Sequence, residues 1–434
     1  MKKILFISIA TLAIIGCKQD FVNPGAISNT TAFSSARNLT GVAVGLQQVY
    51  SVGRLSPVYN SVTAAGALTG EFRLMNAGNV DEAALFTGGA SVDNLNGILG
   101  NLWTWDNKIL YDAENVLNGA KALGDKNYAS GLIAYATIYK ALALGHLCMF
   151  WEQVPAAAAV SGSVTFQSRL DGYKRAVTAL KDAQAALAAN PPSASFFAYI
   201  PAGIDINYLN NTINALIARY SLFAADYAGA ITAANAVNLS YAAAVLNYEA
   251  ANTNPIFTVV TATNNVYQII DSTFGLPAAI APAVNDGRIG FYTSINPTVA
   301  PRYRINGFWN STMKSIPLYL PGEIRLIRAE ALLRQSSPNT AAALTDINAV
   351  LTKTVAQDAF GVAANLPAYT GATDAASLLT EVYKQRCVEL CMSGMRLEDS
   401  RRFNRPVAER KRSFFPYPSR ERDNNPNTPA DPAF

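Results

Sequence analysis

Residues 317–335 read PLYLPGEIRLIRAEALLRQ. Leu320, Ile324, Ile327 and Ala331 fall at i, i+4, i+7 and i+11, one apolar stripe down a helix. SSPN at 336–339 breaks the pattern, with Ser337 read as the N-cap of a second helix and Pro338 as its first helical residue. That second helix carries Leu344, Ile347 and Leu351 on one face. Two amphipathic helices across a short break make a helical hairpin.

The same reading recurs along the chain. Helix-length apolar patterns at 102–123 and 129–150 flank the break GDKN, and patterns at 167–189 and 206–226 flank NPPSASFFAYIPAG. A short helix follows at 227–237, and a last one runs from 375 to about 404. Tyr173, Ala176, Leu180, Ala183 and Leu187 have the large–small–large spacing of the second helix of a tetratricopeptide repeat, where alanine admits close helix contact. Tyr227, Ala230 and Ala234 echo it, as do Thr340, Ala343 and Ile347, at intervals that do not form a tandem array of ~34-residue units. The expected fold is mainly α: tetratricopeptide-like helical hairpins form a scaffold over about 30–237 and 318–405, with little β. Between 238 and 317 the helical period fades into a loop-rich insertion with one β-like run, IFTVVTA. Long irregular stretches inside compact proteins are usually functional. A tail occupies 406–434.

Composition excludes several classes. Half of the 434 residues are apolar and only 15% are charged, against a usual quarter. Disorder is not indicated. A net charge of +4 is slight for this length, and no nucleic-acid partner is expected. Arg396, Arg401, Arg402, Arg405, Arg410, Lys411, Arg412, Arg420 and Arg422 bunch near the C-terminus, but Glu398, Asp399, Glu409, Glu421 and Asp423 sit among them.

The first residues, MKKILFISIATLAIIGC, read as an export signal. Lys2 and Lys3 precede an apolar run over 4–15. That run makes about 18 Å of helix, too short for a hydrocarbon core of ~30 Å. Ile14-Ile15-Gly16-Cys17 is similar to a bacterial lipobox, so 1–16 is read as a lipoprotein-type signal peptide and Cys17 as the lipidated residue. The alternative is an ordinary signal peptide with an adjacent cysteine. Acyl chains would then tether the protein to a membrane surface.

Cys148, Cys387 and Cys391 remain. In RCVELCMSGMRLEDSRRFNRP, at 386–406, Cys387 and Cys391 lie one helical turn apart, an offset that strains a disulfide. A metal site is not expected either, because His146 is the only histidine and no CxxC occurs. Buried thiols acting as small hydrophobes are the favoured reading.

No catalytic constellation emerges. His146 lies in the apolar LALGHLCMF, where a core histidine is the expected role. The glycine-rich FTGGAS lacks a P-loop lysine. Asp81/Glu82, Asp112/Glu114 and Glu398/Asp399 are acids one or two residues apart, which point apart on a helix, not the facing pair that a glycosidase needs. More suggestive is RIGFYTSINPTVAPRYRINGFWNST. Sugar rings stack their C–H faces on aromatic rings, while amides and guanidinium groups hydrogen-bond their hydroxyls. Tyr292, Tyr303, Arg304, Asn306, Phe308 and Trp309 are therefore the ligand-binding candidates, the alternative being that these rings pin a long loop to the helices.

Taken together these segments resemble the SusD/RagB family of Bacteroidetes surface lipoproteins. The carriers are the lipobox, the hairpin LYDAENVLNGA with AYATIYKALALGHLCMFWEQVP, and the Asp-x-Arg segment NDGRIGFY. The Ala-Glu-Ala helix of residues 317–335 and the ALTDINAVLTK that follows it add to the likeness, as do Glu389, Leu390, Gly394, Arg396, Asp399 and Arg402 near the end. The tail FPYPSRERDNNPN matches too, whereas FWEQVP lacks the family's glycine. The resemblance implies one helical domain over 17–434 and no enzymatic activity or cofactor. It implies capture of polysaccharide or oligosaccharide, or in some branches peptide, at the outer-membrane cell surface, in partnership with a SusC-like TonB-dependent transporter. It also implies a structural network of Arg386, Glu389, Arg396, Asp399 and Arg402, with Cys387 and Cys391 as packing residues between them. The rival readings are a surface glycoside hydrolase and a scaffold that binds only protein.

Overall fold

The computed structural model describes residues 33, 35–158, 163–296, 298, 300 and 302–434; the export segment and Cys17 lie outside them. Helix α1 (Ala36–Ser51) leads to α2 (Pro57–Leu68), strand β1 (Phe72–Leu74) and α3 (Val80–Thr87). The long pair α4 (Gly97–Ala122) and α5 (Lys126–Phe150) follows, then strands β2 (Gln153–Pro155) and β3 (Phe166–Ser168). Next come α6 (Arg169–Ala189), the single turn α7 (Ala194–Phe197), α8 (Ile206–Phe223) and α9 (Tyr227–Asn235). The irregular stretch holds β4 (Val245–Leu246), β5 (Tyr267–Ile269), α10 (Gly287–Tyr292), β6 (Thr293–Ile295), β7 (Tyr303–Ile305) and β8 (Ile316–Pro317). The chain closes with α11 (Pro321–Arg334), α12 (Thr340–Leu351), α13 (Ala375–Glu389), α14 (Arg396–Arg402) and α15 (Ser419–Asn424).

Successive helices pack side by side, α4 on α5, α5 on α6, α6 on α8, α8 on α9, α9 on α11, and α11 on α12 and α13. The mainly helical reading of the sequence is the observed fold. Among the described residues the strands form four separate antiparallel pairs, β1–β5, β2–β3, β4–β8 and β6–β7.

Local chemistry fixes the helix starts. Asp125 accepts from the amide of Tyr128, Ser168 from Asp171, Asp205 from Tyr208 and Asp374 from Ser377, each satisfying an orphan first-turn donor. Three sequence expectations are corrected. Asn339, not Ser337, caps α12 through the amide of Ala342. IFTVVTA is not a strand but a π-helical turn over Phe257–Thr261. The last helix is two, because α13 ends at Glu389 and the chain reverses through Met392 (φ 61°) and Gly394 (φ 81°) before α14. Cys387 is therefore helical, and Cys391 is not.

The repeat positions Tyr173, Ala176, Leu180, Ala183 and Leu187 all face the core. The stripe Leu320, Ile324, Ile327 and Ala331 joins the main core, while Leu326, Ala329 and Leu333 of the same helix pack with α12 and α13 in a second cluster. Helix α5 is long and apolar enough to cross a membrane, but 89% of its apolar window is buried in the protein, as befits a core helix. At Gly145 of α5 a Cβ would lie 2.2 Å from the Tyr220 hydroxyl, so the α5–α8 contact demands glycine.

Candidate functional site

Of the network residues, Arg386, Glu389, Arg396 and Asp399 are buried and Arg402 is nearly so, in adjoining clusters. Arg386 clamps Asp399 with two bonds of 2.9 Å, and Asp399 also accepts from Arg402 at 2.9 Å. Arg402 in turn holds Glu330 of α11 at 2.7 and 2.8 Å. Burial alone would raise the Glu330 carboxyl, but Arg402 and its neighbours outweigh it and hold it below the usual range. Glu389 belongs to a second cluster. Fully buried Arg288 bonds Asp286 at 2.7 and 2.9 Å, Glu389 at 3.1 Å and Gln385 at 2.6 Å. Lys353 also meets Glu389. Arg396 sits apart, bonding the carbonyl of Phe274 near Glu71, whose carboxylate accepts from the amide of Met392 at 2.7 Å. That bond secures the break between α13 and α14.

The thiols lack the setting that reactivity needs. Cys148, Cys387 and Cys391 are free and buried, and burial pushes Cys387 up to about 11 and raises the other two as well. A low-pKa, exposed thiol is what reactivity requires. Among the described residues no group of three His, Cys, Asp or Glu could hold a metal.

An internal cavity of about 90 Å³ lies among Tyr50, His146, Arg219, Trp309, Tyr319 and Glu323, far below the ~300–1,000 Å³ of ligand pockets. Beside it stands a buried polar chain. Tyr50 stacks on His146, its hydroxyl 3.4 Å from Nε2, and His146 Nδ1 is 3.5 Å from Asp106 Oδ1. Desolvation pushes fully buried Asp106 up to about 6 from 3.8, His146 offsetting part of the rise. The folded protein thus retains this proton where the unfolded chain has lost it. The contribution favours folding at acid pH and fades as pH rises from about 4 to 6. Asp106→Asn is expected to remove that slope and to stabilise the protein at pH 7 by roughly 3 kcal/mol. Denaturant unfolding at pH 4 and pH 7 checks it, and a variant that keeps the wild-type difference between the two would contradict it.

The ligand candidates divide by burial. Tyr292, Phe308 and Trp309 are core residues at 1%, 6% and 3% exposure. Tyr292 donates to the Glu389 carbonyl at 2.6 Å, and the Phe308 ring packs on Phe291 and Tyr292. All three rings line the small cavity beside His146 rather than the open surface. Tyr303 and Arg304 on β7, and Asn306 after it, are half-buried at the surface; Asn306 accepts from Asn310 at 3.0 Å.

Besides a shallow groove of about 450 Å³ at Asp226, Tyr227 and Gln335, two open clefts approach ligand size. One, of about 630 Å³, is mostly apolar, with Phe291, Val355, Ala356 and Ala363 in its walls. The other, of about 430 Å³, runs between α1, the turn at 201–202 and the residues after β4, and is lined by Gln47, Gln48, Asn247, Tyr248, Glu249 and Asn252 among others. The sequence reading missed it, although the Asn-rich stretch NYEAANTN was a signal.

No protein-family model matches the chain, and no curated protein matches it by sequence. Solved structures do. A SusD superfamily protein from Bacteroides thetaiotaomicron aligns with TM-score 0.70 at 13% identity, over 92% of this chain and 100% of that one. A SusD-like carbohydrate binding protein from Bacteroides fragilis aligns with TM-score 0.64 at 15% identity, over 92% and 99%. A laminarin binding SusD-like protein aligns with TM-score 0.66 at 14% identity, also over 92% and 99%. At these identities the likeness is one of fold, and the fold is that of the SusD superfamily structures.

Proposed function

We propose that this chain is a SusD/RagB-type lipoprotein of the outer-membrane cell surface, non-catalytic, which captures glycans and hands them to a TonB-dependent transporter. The observation that carries the reading is the alignment, over nearly the whole chain, with structures described as carbohydrate binding and laminarin binding. The lipobox at Cys17 supports surface tethering. Tyr303, Arg304 and Asn306 remain candidates for ligand contact on the loop-rich face.

Affinity electrophoresis in gels cast with different polysaccharides tests the proposal. Retardation by at least one glycan, together with loss of Cys17→Ala protein from the membrane fraction and recovery of a barrel partner in mild detergent, is the expected outcome. Binding of peptides with no response to any glycan would replace glycan by peptide as the cargo.

A further inference from the structure

Within the glycan-binding reading, on which this inference rests, we propose that the cleft formed by Gln47, Gln48, Asn247, Glu249 and Asn252 is a binding site for neutral, hydroxyl-rich glycans. Its polar groups are wired before any ligand arrives. The side-chain amide oxygen of Gln47, Oε1, accepts from the buried hydroxyls of Tyr135 and Tyr139 at 3.0 and 3.1 Å. Its Nε2 is left without a protein acceptor among the described residues. Gln48 Nε2 donates to Asn252 Oδ1 at 3.1 Å, and Asn252 Nδ2 donates to Glu249 Oε1 at 2.8 Å. Paired backbone bonds between Glu249 and Asn252, at 3.0 and 3.1 Å, lock this turn. Asn247 Oδ1 accepts from Ser315 at 2.8 Å. The remaining valences include both kinds: donors at Gln47 Nε2 and Asn247 Nδ2, acceptors at Gln48 Oε1 and Glu249 Oε2.

A sugar hydroxyl both donates and accepts, so a lining that offers both, held in place by its own hydrogen bonds, suits hydroxyls with little ordering cost. Among the described residues the lining includes no lysine or arginine, and its one charge is the Glu249 carboxylate. A uronic acid, a sulfated sugar or a peptide C-terminus would meet that carboxylate with no counter-charge. The cleft of about 430 Å³ lies within the range of ligand sites. By contrast, the cavity at His146 is too small and the cleft at Phe291 offers few partners for hydroxyls.

Calorimetric titration of the full chain with laminarin, xylan, mannan and starch oligosaccharides, against oligogalacturonate and sulfated oligosaccharides, tests the proposal. At least one neutral glycan is expected to bind, about tenfold or more tightly than any acidic one. Asn247→Ala and Gln48→Ala, both at exposed positions, should each weaken it about fivefold to tenfold with an unchanged melting temperature. Glu249→Gln should admit acidic ligands while keeping the neutral one. Preference of the wild type for acidic glycans would overturn the selectivity and leave the glycan reading standing. Neutral binding that ignores the Asn247 and Gln48 variants would overturn the cleft. Absence of binding to any glycan, with peptide bound, would instead sink the reading beneath it.

Discussion

Arg288→Met is expected to cost about 3–5 kcal/mol of stability, a large share of the ~5–15 kcal/mol that holds a folded domain. The side chain is fully buried and serves Asp286, Glu389 and Gln385 at once. Removing it strands two carboxylates in the interior, one with only Lys353 as a remaining cation. Methionine fills similar volume, so the loss reports charge rather than space. Lys174→Met is the matched control, because Lys174 and Asp171 are both more than half exposed, and such pairs contribute about 0–1 kcal/mol. Urea unfolding midpoints of the two variants decide it. Equal shifts would mean that the Arg288 cluster is no tighter than a surface pair.

Trp151→Ala should have a comparable effect, about 3–5 kcal/mol, and a local consequence. Trp151 is fully buried after α5 and donates to the carbonyl of Pro416 at 3.0 Å. Its ring meets Trp103 at 4.8 Å and Phe415 at 5.6 Å, while Phe150 stacks on Phe415 at 5.2 Å. Tyr417 completes the cluster on Trp103. Truncation should free the tail, so proteolysis under native conditions should cut within 406–434 first. Trp151→Phe keeps a ring and loses the hydrogen bond, for about 1 kcal/mol. A tail that stays protected in the alanine variant would show that it is anchored elsewhere.

These clusters explain which parts of the sequence could be read. In a chain so poor in charge, buried ion pairs admit few substitutes, and the segment NDGRIGFY pairs Arg288 with Asp286, while the AEA of α11 and the last helices pair Arg386 with Asp399 and Arg402 with both Asp399 and Glu330. The helical hairpins were legible because their period is local. IFTVVTA misled for a tertiary reason. Asn254 caps it, accepting from Phe257, while its amide nitrogen bonds the carbonyls of Phe308 and Lys314, and this fixed frame overrides the β preference of valine and threonine. The end of α13 was hidden likewise, since Glu71 lies far away in sequence. Aromatic content alone did not tell an exposed ring from a core one, hence Tyr292, Phe308 and Trp309 as stacking candidates. The amide cleft joins Gln47 and Gln48 to Asn247–Asn252 across the whole scaffold, beyond the reach of any local pattern.

Binding without turnover is the central claim, and it can be measured in one experiment. The protein is incubated for a day with the glycan that retards it most, and the ligand is then recovered and sized by mass spectrometry. The expected result is saturable binding with the oligosaccharide returned at its original length. Shortened products that depend on the protein would contradict it.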